Sequence, residues 1–530
     1  MSSSFESLIR STRPAGSRGK IDRYLPKIAE GLYEVIQRTK RDMPKLGPEI
    51  DTITVEFLSA LGVLFGEDLH CRLGIWRALE AWNVEQFRTP LPFLVPVGGA
   101  DLRLRGFDPR RVQHFLWRTI TEVSTEDGNY LFINPCHEEL ALLAREVANF
   151  LELRFSKKLP QDSPIRRILG KRYPEAPDLK EKLVCLAKGS YLLCTQAPTE
   201  DPDEADSLDE YFIRVQELDD YICQECSSWA GMGALDLLSG ILGLEGQEKE
   251  ELSSWSRRLF SVYKVTDIQW KGEIVESMDV LNFLNGKTYE VIVGTELRVT
   301  VGNVLMGALV QWRGEWYWSG AQKSLGNPSA EREEGLKADL EENNSGWVYR
   351  SCPEKEDRAR ELIHLQHEHF LKHYGDDLKI FPNVEAMQQN EAERFNTYNE
   401  QFAKANDKPS MPKKVTKVFP KEVMEWEGKV AAFSDPVLGM SYIRDYTLLE
   451  AALSGQEGNS GDQQDRVLSL MTDPTATPSL VRRLVEKYSS DGLSKLMLCS
   501  GHPGELVVEY FLRCFKGEKF RKMDPNIRLV

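Results

Sequence analysis

TYEVIVGTELRVTVGNVLMGALVQWRGEWYW, residues 288–318, is the stretch in which the hydrophobic period of this chain changes from helical to extended. Leu297, Val299 and Val301 face one way while Glu296, Arg298 and Thr300 face the other, and Tyr289, Val291 and Val293 repeat the pattern. A period of two marks half-buried strands. Glycine turn signals separate the runs: Asn285-Gly286, Gly302-Asn303 and Arg313-Gly314. Asn-Gly favours hairpins because both residues tolerate positive φ. Trp312-Arg313-Gly314-Glu315 reads as a second tight hairpin, joining Val304–Trp312 to Trp316–Trp318. Residues 261–321 are therefore expected to form a small β-barrel-like module, a meander or open barrel.

Outward from this module the period is helical. Residues 1–20 read as a flexible tail, and 21–198 as an N-terminal helical domain. In the latter, Leu25, Ile28, Ala29, Leu32 and Ile36 recur at helical spacing, and Asp108-Pro109 and Asn134-Pro135 look like helix starts. Residues 199–210 read as an acidic linker and domain boundary, since Glu200 to Glu210 holds seven acids and no base. Residues 211–260 return to helical patterning. Gln322 to Ser345 reads as a polar linker, 346–405 as a helical pair, Asn406 to Lys417 as a basic linker and 419–530 as a C-terminal helical domain. The expected class is α+β: a mostly helical multi-domain chain with a small central β-meander or open barrel.

The composition is that of a globular protein, with 41 % hydrophobic and 28 % charged residues among 530. Acids outnumber bases 82 to 67, giving a net charge of −15, which argues against non-specific nucleic-acid binding over the whole surface. No stretch approaches the ~18 apolar residues that a membrane-spanning helix needs, so no membrane partner is expected. Nine scattered cysteines fit reduced thiols and a cytoplasmic location.

Motifs that could carry chemistry are few. His364, His367, His369 and His373 fall in one helix, but only His369 and His373, at i and i+4, share a flank. They are the candidate metal ligands, with further ligands to be supplied from elsewhere. Cys223 and Cys226 form a lone C-x-x-C without the second pair that a zinc site requires. Cys136 lies at an expected helix start beside His137, although adjacent residues diverge around a helix. Asn285-Gly286-Lys287-Thr288 imitates the end of a phosphate loop, but Leu281 stands where the first glycine belongs. Trp312, Arg313, Trp316 and Trp318 form an aromatic hairpin of the kind that can grip a peptide or stack a base, and are the candidate partner-binding residues. Lys413, Lys414, Lys417 and Lys421, and Arg513, Lys516, Lys519, Arg521 and Lys522, make two C-terminal segments basic.

GKTYEVIVG (286–294), GNVLMGALVQWRGEWYWSG (302–320) and AAFSDPVLGMSYIRDY (431–446) resemble segments of large bacterial proteins of unknown function, over the C-terminal half of the chain. Some of those proteins end in a short cysteine-rich zinc motif that this chain lacks. The resemblance implies a bacterial cytosolic protein and carries over no catalytic residue or cofactor. The leading expectation is a non-catalytic interaction or regulatory protein with a protein partner. Nucleic-acid binding through the β module and the basic segments, and metal-dependent hydrolysis through the His-rich helix, are the alternatives.

Overall fold

The computed structural model describes residues 2–14, 17–99, 104–123, 133–156, 159–198, 200, 202–343, 345–405, 415–455, 460–473, 476–488, 490–499, 501–521 and 528–529. It is 57 % helical and 13 % strand, which makes the chain α+β and mostly helical. It divides into two compact units, Met1–Pro353 and Glu354–Val530. The acidic segment at 199–210 is thus interior to the first unit. It leads into a helix capped by Ser207, whose Oγ accepts a hydrogen bond from the Glu210 amide.

The first unit begins with helices α1 (Ser2–Ser11), α2 (Leu25–Lys40), α3 (Thr52–Cys71), α4 (Ile75–Phe87), α5 (Pro109–Val123), α6 (Glu138–Phe155), α7 (Pro164–Leu169), α8 (Ala176–Gly189), α9 (Leu208–Gln224), α10 (Ala234–Leu242) and α11 (Gly246–Ser254). The expected flexible tail is instead α1, docked by buried Phe5 and Ile9. Arg13 behind it donates to the buried carboxylate of Glu67 at 2.7 Å. A charge pair this buried fixes the segment, because water cannot replace either partner. The stripe Leu25, Ile28, Ala29, Leu32 and Ile36 is buried as its spacing predicts. Asp108 caps α5, but the Asn134-Pro135 helix starts three residues late: His137 is the cap, its Nδ1 accepting from the Glu139 amide. The helical core is aromatic, with Phe65, Trp76, Phe115, Tyr191 and Trp229 in mutual contact.

The β module follows as β1 (Leu259–Lys271), β2 (Ile274–Asn282), β3 (Thr288–Thr295), β4 (Val304–Trp312), β5 (Glu315–Trp318) and β6 (Lys323–Gly326). β1, β2 and β3 form an antiparallel meander, β5 runs parallel to β3 and antiparallel to β4, and β4 returns to pair with β1. The result is a closed five-stranded barrel, with β6 added to β4. Closure depends on the length of β1: Leu259–Lys264 pair with β4 while Tyr263–Lys271 pair with β2. Tyr263, Val265, Val275, Met278, Val280, Val291, Leu305 and Leu309 fill the interior.

Two expectations about this module fail locally. Residues 296–300 form no strand, although Val299 is buried against the barrel core; Gly294 and Gly302, at φ +67° and +93°, turn the chain on either side. Asn285-Gly286 lies in a five-residue loop, folded over the Asn282 side chain, which accepts from the amides of Leu284 and Asn285. Arg313-Gly314 is the two-residue hairpin expected, with φ +52° and +83°.

Asp219 of α9 joins barrel to helices. Its carboxylate, almost fully buried, pairs with Lys180 of α8, takes a hydrogen bond from Ser319 Oγ at 3.0 Å, and lies 3.5 Å from the guanidinium of buried Arg258. Beyond the barrel the polar linker expected at 322–345 is instead β6 and helix α12 (Ala330–Asn343), followed by α13 (Ser345–Ser351).

The second unit contains α14 (Pro353–Tyr374), β7 (Leu378–Phe381), α15 (Val384–Ala405), α16 (Lys421–Met424), β8 (Val430–Asp435), β9 (Gly439–Ile443), α17 (Tyr446–Leu453), α18 (Ser460–Thr472), α19 (Pro478–Tyr488), α20 (Ser490–Leu496), α21 (Gly504–Lys516) and β10 (Arg528–Leu529). The C-terminal region is therefore not purely helical. AAFSDPVLGMSYI is a hairpin in a second sheet of order β10-β9-β8-β7. Buried Glu391 anchors this unit by accepting from Tyr374, Tyr442 and Arg394 at 2.7–2.9 Å.

Candidate functional site

The aromatic hairpin serves the fold. Trp312 is fully buried and lies against Tyr173. Trp316 and Trp318 point towards the barrel core and pack edge-to-face on Tyr289 and Tyr263. Arg313 clamps the β4–β5 turn to the helices: its amide donates to Glu251, its guanidinium pairs with Glu248 at 2.7 Å, and its cation sits 6.0 Å from the Tyr173 ring. The four candidate residues are together, but Trp312 is fully buried, Trp316 and Trp318 are half-buried against the barrel core, and exposed Arg313 is turned towards α11.

The other candidates do not assemble. His369 is buried and its titration is depressed, by desolvation first and by the nearby Arg394 cation second. It stacks on His373 with ring centroids 6.4 Å apart. His364 pairs with Glu368, and His367 Nδ1 lies 3.1 Å from Ser434 Oγ. Among the described residues, no group of three or more His, Cys, Asp or Glu is placed to hold a metal ion. Burial pushes the thiols of Cys136 and Cys223 up, away from nucleophile chemistry. The phosphate-loop lookalike is a turn, with Gly286 at φ +67°. Lys413, Lys414 and Lys522 lie outside the described residues. Lys516 is buried and donates to the Asp473 carbonyl, so it is not a surface cation.

The feature that stands out lies on the outside of the barrel. Register places Asp267 of β1 directly opposite Asp279 of β2, and Asp279 directly opposite Glu290 of β3. The inward neighbours Ile268, Met278 and Val291 form the adjacent cross-strand row and pack in the core, so the three acids point out. None of the three has an ion-pair partner among the described residues. They are held only by neutral contacts, Gln269 donating to Asp267 at 2.8 Å and Ser277 to Glu290 at 3.1 Å. Like charges directly opposite in a sheet are destabilising. Beyond this row, Glu273 and Glu276 are exposed, and Trp270 and Ile274 are 52 % and 44 % exposed at the β1–β2 turn. The edge of β1 is also open there, since pairing with β4 ends at Lys264.

Asp267, Asp279, Trp270 and Ile274 belong to no motif in the sequence. The alternation of β2 marks Asp279 as an outward residue, but which acids meet across strands depends on register. Register in turn depends on the irregularities between Val265 and Asp267 and between Gln269 and Trp270. The outer face of β1, β2 and β3 carries a row of carboxylates, which repels phosphate. No helix among the described residues is long and apolar enough to cross a membrane. No known protein family, curated protein or solved structure matches this chain.

Proposed function

We propose that this is a non-catalytic interaction protein whose barrel receives a basic segment of a protein partner on the outer face of β1, β2 and β3. The observation that carries the reading is the in-register row Asp267, Asp279 and Glu290, unpaired by any cation among the described residues. A basic segment would relieve the repulsion between them, so association is rewarded at the place where the free protein is disfavoured. Trp270 and Ile274 flank the row and supply the apolar contact that charge alone lacks. A reducing, cytoplasmic setting agrees with the nine cysteines, six of which are buried thiols.

The test is fluorescence anisotropy of a labelled lysine-rich peptide with three proteins: the full chain, D267N/D279N/E290Q, and a control of equal charge change on the exposed face of α12, E331Q/E334Q/E342Q. The expected result is salt-sensitive binding that falls about tenfold in the barrel variant and is retained in the control. Equal affinities in all three would overturn the proposal. So would self-association of the barrel variant without any loss of peptide affinity, because the acids would then be guarding the open edge of β1.

A further inference from the structure

A second surface has the opposite charge and a different shape. Residues 17–23, SRGKIDR, and residues 166–172, RRILGKR, are basic runs 149 positions apart in a chain of net charge −15. The fold brings them together. The Lys20 amide donates to Asp162 Oδ2 at 3.1 Å, the Ile21 amide to the Asp162 carbonyl at 3.4 Å, and the Arg167 guanidinium to the Arg18 carbonyl. Gly19 makes the approach possible: a Cβ there would stand 2.7 Å from Pro164 Cδ. Next to this junction is an open cleft of about 430 Å³ lined by Gln161, Asp162, Ser163, Arg166, Arg167 and Gly170.

The charge balance at this junction is one-sided. Arg18, Lys20, Arg166 and Arg172 are exposed and have no carboxylate partner among the described residues. Asp162 is the one acid lining the cleft; it is already engaged by the Lys20 amide and by Arg167 Nε at 3.3 Å. Lys171 is paired with Glu181. Arg166, whose guanidinium reaches only Gln161 at 3.5 Å among the described residues, stands at the rim of this cleft beside Arg167, which is already engaged by Asp162 and the Arg18 carbonyl; the planar, multi-donor head of Arg166 suits phosphate oxygens. We propose that this cleft binds the phosphate group of a small phosphorylated ligand. Such a ligand would be recognised in the first unit independently of whatever the barrel face binds.

The experiment is isothermal titration of the full chain with inorganic pyrophosphate and with ribose 5-phosphate, using sodium sulfate at matched ionic strength as the reference anion. The expected result is saturable one-to-one binding of at least one phosphorylated probe, weakened about tenfold or more in R166A/R167A and unchanged in R332A, a distant exposed arginine. Because Arg167 also holds Asp162 and the Arg18 carbonyl, R166A is measured beside the double variant; R166A should keep the thermal midpoint of the wild type and still lose affinity for the phosphorylated probe. Sulfate competing as well as the phosphorylated probe would overturn the proposal, as would equal binding by R166A/R167A. Saturation by a long oligonucleotide alone, with no response to either small probe, would also overturn it and mark the surface as a polyanion track.

Discussion

Asp279→Asn should make the protein more stable, and the size of the gain follows from the sheet. Asp279 sits directly opposite both Asp267 and Glu290, whereas each of those faces only Asp279. Opposed side chains in an antiparallel pair have Cβ atoms about 5 Å apart, so outward carboxylates lie at roughly 5–6 Å. In water two unit charges at that distance repel by about 0.7 kcal/mol, and screening at physiological salt leaves about half. With two neighbours, Asp279→Asn is expected to add about 0.7 kcal/mol. Asp267→Asn and Glu290→Gln, with one neighbour each, should add about half as much. At about 10 mM salt the gain for Asp279→Asn should rise to about 1.2 kcal/mol, because screening is then weak over such a distance. Urea unfolding of the first unit, followed by tryptophan fluorescence at two salt concentrations, reads these differences as shifts in midpoint. A gain for Asp279→Asn no larger than that of either flanking variant, or one that does not grow as salt is removed, would refute cross-strand repulsion as its source.

Other expected outcomes concern residues with single, separable roles. Trp316→Ala should cost about 2–4 kcal/mol, since the ring packs in the barrel core, while Trp270→Ala should change stability by less than about 0.5 kcal/mol and weaken the lysine-rich peptide; urea unfolding and the anisotropy assay separate the two. Asp219→Ala removes the carboxylate paired with Lys180 and the farther of the two beside buried Arg258, which keeps Asp220 at 2.7 Å, and should destabilise the first unit by about 1–3 kcal/mol. Hydrogen exchange should show the loss first where α9 meets the barrel. His114 is fully buried without a hydrogen-bond partner among the described residues, and desolvation pushes its titration down to about 3. The unfolded chain therefore takes up a proton below pH 6.5 that the folded chain refuses, and stability should fall progressively between about pH 6.5 and 3. His114→Phe should flatten that limb of a stability–pH curve; an unchanged slope would show that other groups govern it.

The sequence displayed what depends on local period and turn chemistry. The helical stripe of α2, the alternation of β3, and the Arg313-Gly314 hairpin could all be read because each is set by residues within a few positions of one another. What required distant partners was hidden. Residues 1–20 lack an apolar run long enough to announce a helix, yet Phe5 and Ile9 find a core and Arg13 finds Glu67, 54 positions away. Leu297, Val299 and Val301 alternate like a strand, yet residues 296–300 stay out of the sheet, between Gly294 and Gly302, whose φ of +67° and +93° turn the chain on either side. The aromatic hairpin misled for a related reason: exposure is not a local property, and rings that look like a binding surface in isolation are the contents of a small barrel. The candidate site is the extreme case. Its three acids come from three strands, and none is unusual in its own neighbourhood.

This also bears on which partner the barrel can accept. A ring system such as Trp316 or Trp318 would stack bases in a sequence-tolerant way if it stood outside, and the barrel's architecture is compatible with that use. In this chain the rings are turned inward and carboxylates occupy the outer face, so both terms that favour a nucleic-acid strand, stacking and phosphate neutralisation, are reversed. The cations that could have supplied neutralisation are elsewhere: Arg313 is committed to Glu248, Lys516 is buried, and Arg166 and Arg167 line the cleft beside α7. A single strand of nucleic acid bound to the first unit would have to avoid the barrel face and follow the arginines. A basic protein segment would do the reverse. Competition between pyrophosphate and a lysine-rich peptide on the full chain therefore discriminates the two surfaces: independent binding is expected, and mutual displacement would mean that one surface was serving both.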